Sequence, residues 1–439
     1  MTRFIGEEKL IKQAQIGFPK GITKITERVY FALGYGASTA TLIEGESTCI
    51  LIDTLNGTTV AKEVLEAFKK ITNKPIKTII YTHYHHFDHT CGAGVFADED
   101  CEIIGRIPAY PQYGKSHLLK DIFAKRTAMQ FGTGLSNEEI LSLGIAPIND
   151  NNGEKSNLSP NKLFSEEKLV LTIDGIELEL VAAPGETDDQ IFVWLPQEKV
   201  ICCGDNYYES WPNLYAIRGG QYRDVSSWVD ALTHMISYEA EYLLPGHTRA
   251  VVGKEKIKQS LTNYRDAIEY VLVETLKGMN EGMTIDELVE QIKLPQELEK
   301  LPYLQEYYGT VEWTVRSIFT GYLGWFDGNP THLGSMQKMK KAQKTLKLMG
   351  GAKKVIEEIE EALKQEEEQW AVELCDILLA AGEEVEIAKE LKAQGLVVLA
   401  RIQTSANARH YYLASAKQLR GQLKPQSMNG ASLDLSKKK

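Results

Sequence analysis

From about residue 27 to residue 81, apolar segments alternate with turns, a pattern that predicts strands and one helix. Residues 29–33, 38–43 and 49–53 are rich in β-branched and other apolar side chains, which favours strands. Apolar residues recur at helical spacing over 58–70 and predict a helix. The apolar residues 76–81 predict a buried strand, and this strand leads directly into a histidine-rich loop.

The same alternation returns after residue 167. Further strands are predicted at 168–173, 176–183, 190–195 and 199–203, with Asp174-Gly175 as a hairpin turn between the first two. Residues 132–162 are rich in Gly, Asn, Ser and Pro, which predicts a long loop or lid. We therefore interpret this part of the chain as a sheet with helices on its outer faces, built twice in succession.

The pattern becomes helical after residue 253. Residues 254–323 and 335–420 carry apolar positions at helical spacing almost throughout. The last residues are polar and end in three lysines, which predicts a disordered tail. The sequence thus predicts an α/β domain over 1–253, an all-α helical domain over 254–420 and a tail over 421–439.

The composition is that of a globular protein with a sizeable core. The chain has 439 residues, of which 43% are hydrophobic and 25% charged. A formal charge of -11 argues against a nucleic-acid partner, because phosphate neutralisation requires a basic surface. No segment approaches the ~20 apolar residues of a membrane span. No secretory signal is visible and the six cysteines form no CxxC pair, so we expect a cytoplasmic protein.

The candidate chemistry begins in the loop after the strand 76–81. His83, His85, His86, Asp88 and His89 lie within seven residues. Imidazole and carboxylate at this density suit zinc, manganese or iron better than magnesium or calcium, which prefer all-oxygen ligands. A solvated histidine-rich loop is the alternative interpretation, and residues further along the chain weaken it.

Three later positions extend the candidate metal site. Glu186 follows a predicted strand within Pro-Gly-Glu, Asp205 ends the next strand after a glycine, and His247 ends a third within Pro-Gly-His. Taken singly, each is an ordinary turn residue. Ligands supplied from successive strand ends would meet at one edge of a sheet, so together they predict a two-metal site in which Asp205 bridges.

The order of these motifs resembles the metallo-β-lactamase superfamily. Within it, Glu186 and the segment 205–224 are similar to the alkylsulfatase branch. Residues 308–313 and 321–330 also resemble the helical module that this branch uses for dimerisation. The resemblance covers roughly residues 27–420. It implies an αββα sandwich with a binuclear metal site, followed by an all-α domain that forms a homodimer.

The resemblance also implies a ligand set. His83, His85 and Glu186 would hold the first ion, Asp88, His89 and His247 the second, and Asp205 both. The superfamily motif is His-x-His-x-Asp-His, and here one extra residue precedes Asp88. Counting forward from the strand selects His83 and His85, whereas counting back from Asp88 selects His86. We favour His83 and His85, because His83 directly follows the strand.

Arg218 is the candidate residue for binding an anionic substrate. Its planar guanidinium suits two oxygens of a sulfate, and the following Gly219-Gly220 allows movement. The alternative is an arginine paired with Asp224 or Glu209. Asn213 and Tyr215 could add polar contacts to the substrate. Asp88, Asp205 and Arg218 are the candidate catalytic residues.

These residues favour a metal-dependent hydrolase of alkyl sulfate esters that uses metal-bound hydroxide and two divalent ions, with zinc first and manganese or iron as alternatives. A hydrolase of a thioester, lactone or phosphoester would keep the same metal site. A helical interaction protein with a vestigial metal domain is the alternative from another class. In the first two cases the partner is a small-molecule ester.

Overall fold

A computed structural model describes residues 3–84, 86–108, 116–149 and 151–423. These residues form two mixed β-sheets with helices on their outer faces, followed by a helical region. The predicted fold class, an αββα sandwich followed by an all-α region, is confirmed. Of the predicted tail over 421–439, residues 424–439 lie outside the described part of the chain.

The first sheet has seven strands in sequential order, antiparallel from β1 to β4 and parallel from β4 to β7. Its strands are β1 (Gly21–Lys24), β2 (Val29–Leu33), β3 (Ala40–Glu44), β4 (Cys49–Ile52), β5 (Ile76–Ile80), β6 (Glu102–Arg106) and β7 (Lys162–Phe164). The helices of this half are α1 (Ile5–Gly17), α2 (Thr58–Lys69), α3 (Ala93–Phe96), α4 (Lys120–Gln130) and α5 (Asn137–Ile140). Because β5 is hydrogen-bonded on both sides and almost wholly buried, the loop that follows it starts from a rigid point.

The second sheet has six strands in the order β13-β12-β11-β10-β9-β8, and only β11 and β12 pair in parallel among its described strands. The strands are β8 (Lys168–Ile173), β9 (Ile176–Ala182), β10 (Ile191–Leu195), β11 (Val200–Gly204), β12 (Tyr242–Pro245) and β13 (Val251–Val252), with α6 (Val225–Ile236) before β12. Apolar side chains from both sheets, such as Ile43, Ile80, Leu178 and Val193, form the core between them. The inner faces therefore hold the two sheets together by apolar burial.

The helical region begins with the 27-residue helix α7, directly after β13. Its helices are α7 (Lys254–Asn280), α8 (Ile285–Gln291), α9 (Gln296–Glu299), α10 (Val311–Leu323), α11 (Lys338–Leu348), α12 (Ala352–Lys364), α13 (Glu368–Ala381), α14 (Val385–Ile402) and α15 (Ala406–Leu419). Helices α7 and α10 share a core with α6 on the outer face of the second sheet. No helix among the described residues is long and apolar enough to cross a membrane.

The segment 132–162 is largely a loop, as the sequence predicts, with α5 as its helical turn. Its first part is packed against the helical region, since Leu135 and Ile140 share a core with Ala400 and Leu413. The N-terminal α1 likewise packs on α14, and Glu7 pairs with Arg409 at 2.9 Å. Sequence periodicity could not reveal these contacts, because they join segments far apart in the chain.

Candidate metal centre and anion site

The candidate metal ligands converge where strands of both sheets end. His83 follows β5, Asp205 follows β11 and His247 follows β12. Glu186 lies in the turn after β9. The parallel neighbours β11 and β12 end at the same edge, which brings Asp205 and His247 together: Oδ2 of Asp205 lies 3.4 Å from Nε2 of His247.

Two clusters of possible ligands meet at Asp205. His83, His86 and Asp205 form one, and Asp88, His89 and His247 form the other, each with its donor atoms within 4.8 Å of one another. Oδ1 of Asp205 is 3.3 Å from Nε2 of His89 in the second cluster. Oδ2 of Asp205 lies 3.7 Å from Nε2 of His83 in the first cluster and 3.4 Å from Nε2 of His247 in the second. The Asp205 carboxylate therefore lies against histidines of both clusters, as a bridging ligand requires.

The histidine rings are oriented from behind by oxygen atoms. Nδ1 of His89 lies 2.8 Å from Oδ2 of Asp53, which also accepts the hydroxyl hydrogen bond of Thr82 at 2.7 Å. That hydroxyl lies 3.2 Å from Nδ1 of His83. Nδ1 of His247 lies 2.7 Å from the carbonyl oxygen of Ala37. Each ring so held directs Nε2 towards the site, an orientation typical of metal-binding histidines.

The electrostatics of the site also suit a cation. Burial lowers the pKa of His89, but the carboxylates of Asp205 and Asp88 outweigh it and raise that pKa well above its ordinary value. Burial raises the pKa of Asp205, yet the imidazoles of His247 and His89 hold it well below the usual range. The shifts are opposite because the buried carboxylates favour protonated, positively charged imidazoles. A bound metal ion would supply that positive charge in place of the protons.

Glu186 is placed between the metal cluster and an arginine. Its Oε1 lies 2.5 Å from Nη2 of Arg223 and 3.4 Å from Nδ1 of His86. Its backbone N–H donates to Oε1 of the buried Gln190 at 3.1 Å, which fixes the turn. Burial raises the pKa of Glu186 to about 7, although Arg223 opposes this shift.

The residues present fit a divalent ion. Nε2 of His89 and Oδ1 of Asp205 are buried and have no hydrogen-bond partner among the described residues, a costly state that a bound cation would relieve. The donors are imidazole nitrogens and carboxylate oxygens, the set that zinc, manganese and iron accept. Divalent metal binding is thus what this donor set and its burial support.

The arrangement of Arg218 supports anion binding next to the clusters. Its Nη2 lies 3.4 Å from Nε2 of His86. The alternative pairings are not formed, since Asp224 caps α6 and Glu209 pairs with Arg249 at 2.8 Å. The positive guanidinium therefore faces the site.

The other two candidate substrate-binding residues differ in exposure. Asn213 is buried, and its backbone N–H donates to the hydroxyl of Tyr208 at 2.7 Å while its carbonyl accepts from Arg223. Tyr215 has 38% of its surface exposed. Asn213 is therefore fixed beside the site, whereas Tyr215 lies on the surface.

Sequence reasoning placed several site residues and missed others. His85 lies outside the described residues, and His86 is the imidazole that the structure brings to His83 and Asp205. Asp53 was missed, although an acid at the end of β4, next to the histidine-bearing strand, was a usable signal. The phenol of Tyr308, whose pKa burial raises and which lies within the electrostatic influence of Arg218 and Glu186, was interpreted only as part of the helical module.

Comparisons with known proteins identify the family of the chain. Residues 33–247 match the metallo-β-lactamase superfamily and residues 284–422 match the alkyl sulfatase dimerisation family. A linear primary-alkylsulfatase of Pseudomonas sp. is 34% identical over 87% of this chain and 74% of its own length. The alkyl/aryl-sulfatase of Saccharomyces cerevisiae is 30% identical, covering 94% of this chain and 66% of its own. An (R)-specific secondary-alkylsulfatase of Pseudomonas sp. is 29% identical, with 93% and 64% covered.

The solved structure of a stereoselective inverting sec-alkylsulfatase from Pseudomonas sp. superposes with a TM-score of 0.88 at 26% identity, over 95% of this chain and 68% of that one. The chain belongs to the alkylsulfatase family of the metallo-β-lactamase superfamily, a family of hydrolases. It spans 64–74% of the length of the three curated relatives.

Proposed function

We propose that the protein hydrolyses alkyl sulfate esters to sulfate and an alcohol, with two divalent metal ions held at the joined clusters. The observation that carries this proposal is the position of Arg218. Its guanidinium, a group suited to binding sulfate, has Nη2 at 3.4 Å from Nε2 of His86, at the edge of the first cluster. The names of the similar proteins, which describe primary and secondary alkylsulfatases, support sulfate esters as the substrate class.

The proposed ligands of the first ion are His83, His86, Glu186 and Asp205. His86 takes the place that counting from the strand gives to His85, because Nδ1 of His86 lies 3.4 Å from Oε1 of Glu186. Substitution of His85 and His86 tests this choice. Asp88, His89 and His247 would hold the second ion, shared through Asp205. Zinc is the first candidate, with manganese or iron as alternatives.

Bound ions would supply Lewis acidity that generates hydroxide from water at neutral pH and stabilises developing negative charge. The residues of the chain bind and orient the ester. Arg218 would bind two sulfate oxygens through parallel N–H groups, and the side chain of Asn213 would donate to a third. Arg223 contacts both the carboxylate of Glu186 and the backbone carbonyl of Asn213. It would therefore hold the proposed metal ligand Glu186 and the proposed substrate-binding residue Asn213 at a fixed distance from each other.

The phenol of Tyr308 is the candidate donor to the ester or to the departing oxygen. Burial raises its pKa, so the hydroxyl keeps its proton at neutral pH. The charges of Arg218, Glu186 and Asp88 also act on the pKa of this phenol, which is consistent with a position close to the site. Tyr215, which is 38% exposed, would add a polar contact to the substrate.

The partner proposal is a second copy of the chain. We propose a helical domain over 254–420 that dimerises and a catalytic domain over 1–253. The end of α10 and the segment that joins it to α11 expose several large apolar side chains, including Tyr322 at 50%, Trp325 at 75% and Leu333 at 67%. Apolar surface of this kind marks a protein interface. The segment lies within the residues that match the dimerisation family.

The proposed function is tested by metal content and turnover on one sample. We expect two ions per chain and release of sulfate from alkyl sulfates, with Asp205→Ala and Glu186→Ala inactive but still dimeric. Two ions without sulfate release would reject the sulfate ester as substrate and direct the search to thioesters, lactones and phosphoesters. Unchanged turnover in either variant would reject the assigned site.

A further inference from the structure

The loop that carries Arg218 is held by hydrogen bonds to side chains of α4. The side chain of Gln130, at the end of α4, is fully buried, and its Oε1 accepts the backbone N–H of Arg218 at 3.0 Å. One turn earlier, Nη2 of Arg126 donates to the carbonyl oxygen of Ile217 at 2.6 Å. Both polar groups of the peptide bond between Ile217 and Arg218 are therefore fixed by side chains at the end of α4, which sets the starting point of the Arg218 side chain.

The end of α4 is in turn held by α15 of the helical region. His410 is completely buried, with Nδ1 at 3.0 Å from the carbonyl oxygen of Gln130 and Nε2 at 3.1 Å from that of Ile140. The last carbonyls of a helix have no partner within the helix, so a side chain that caps them fixes where the helix ends. Burial lowers the pKa of His410, so its neutral ring carries one N–H and donates to one of these two carbonyls. With that proton on Nδ1, His410 fixes the end of α4 and thereby the position of Gln130, which bonds to Arg218.

The start of α15 also holds the backbone of the segment that carries Tyr308. The hydroxyl of Ser405 donates to the carbonyl oxygen of Tyr308 at 2.7 Å, and Nδ2 of Asn407 donates to the same oxygen at 3.3 Å. The backbone N–H of Ala406 donates to the carbonyl of Tyr307 at 2.9 Å. One helix therefore anchors both Arg218, through Gln130, and the segment that presents the Tyr308 phenol.

We propose that α15 of the dimerisation module builds the anion-binding side of the active site within its own chain, with Gln130 and His410 as positioning residues for Arg218. The module then has a role in substrate binding that is separate from dimerisation. This inference rests on the proposed function for its ligand, a sulfate ester, but its test measures anion binding rather than turnover.

The test is binding of octanesulfonate, a non-hydrolysable sulfonate, to the metal-loaded full chain by calorimetry. Gln130→Met removes the acceptor for the Arg218 N–H at nearly constant shape, and Gln130→Glu keeps an oxygen there. We expect about tenfold weaker binding for Gln130→Met and near wild-type binding for Gln130→Glu. Gln13→Met is the matched control, because Gln13 is also buried but bonds to Ser142 and Gly144 instead.

A double-mutant cycle tests the route through Gln130. His410→Leu should weaken octanesulfonate binding severalfold. The double variant should bind only slightly more weakly than Gln130→Met alone, because both substitutions act on the contact between Gln130 and Arg218. Additive losses, or wild-type affinity in Gln130→Met, would overturn the inference. Metal content and dimer mass should stay unchanged throughout, which a general loss of folding would not allow. If the wild type binds octanesulfonate but releases no sulfate, only the proposed function fails; absence of binding to the wild type overturns the inference.

Discussion

Asp53→Asn should weaken metal binding although Asp53 lies outside both ligand clusters. Its carboxylate accepts three hydrogen bonds: from the backbone N–H of Thr82 at 2.9 Å, from the Thr82 hydroxyl at 2.7 Å and from Nδ1 of His89 at 2.8 Å. Through Thr82 it also reaches Nδ1 of His83. One buried carboxylate therefore orients an imidazole of each cluster.

The size of the effect follows from the hydrogen bonds. Asparagine replaces one oxygen with an NH₂ group, so either the Thr82 N–H or the pair formed by the Thr82 hydroxyl and His89 faces a donor instead of an acceptor. A hydrogen bond to a charged group contributes about 1.5–3 kcal/mol. Loss of an outer partner of a metal-binding histidine typically lowers affinity about 10- to 100-fold, or roughly 1.4–2.8 kcal/mol. Both estimates predict weakened metal binding, not loss of the fold.

The assay is metal release to a competing chelator, followed at fixed pH for wild type and variant. Asp174→Asn is the control: Asp174 also has a positive φ and accepts backbone N–H groups, from Ser47 at 2.7 Å and Thr48 at 2.6 Å, but lies in the β8–β9 turn. Equal metal affinity in Asp53→Asn and wild type would refute the orienting role. Equal losses of metal affinity in Asp53→Asn and Asp174→Asn would show a general effect of replacing aspartate with asparagine.

Three further outcomes are expected. His86→Ala should reduce the metal content from two ions towards one and His85→Ala should not; elemental analysis showing the reverse would restore His85 as the ligand. Burial raises the pKa of Asp189 to about 7, above the ~3.9 of an unfolded chain, so its contribution to stability is present at low pH and lost as pH rises through about 7. The Tm of the metal-loaded wild type should therefore fall more steeply between pH 5 and 8 than that of Asp189→Asn, and parallel curves would contradict this. Trp325→Ser should shift the mass measured by light scattering from dimer to monomer. The control is Val170→Ser, which also removes exposed apolar surface, but on β8, and should leave the dimer intact.

The sequence could predict those features that depend on neighbours along the chain. Strands β2 and β8 were predicted with their observed bounds, because alternation and turn residues are local signals. The convergence of Glu186, Asp205 and His247 was also predictable, since each follows a strand and strand ends meet at a sheet edge. The family was recognisable for the same reason, as its motifs are short and contiguous.

The tertiary structure decided what depends on contacts across the chain. The packing of α15 against α4 brings His410 to Gln130, 280 positions away. Asp53 reaches His89 only because β4 and β5 pair in parallel register. The turn after β5 brings His86 to Glu186, whereas the spacing of the motif alone left the choice between His85 and His86 open. No periodicity encodes such pairs, because apolar burial and strand pairing act on distances in space, and these are fixed only when both sheets and the helical region have packed.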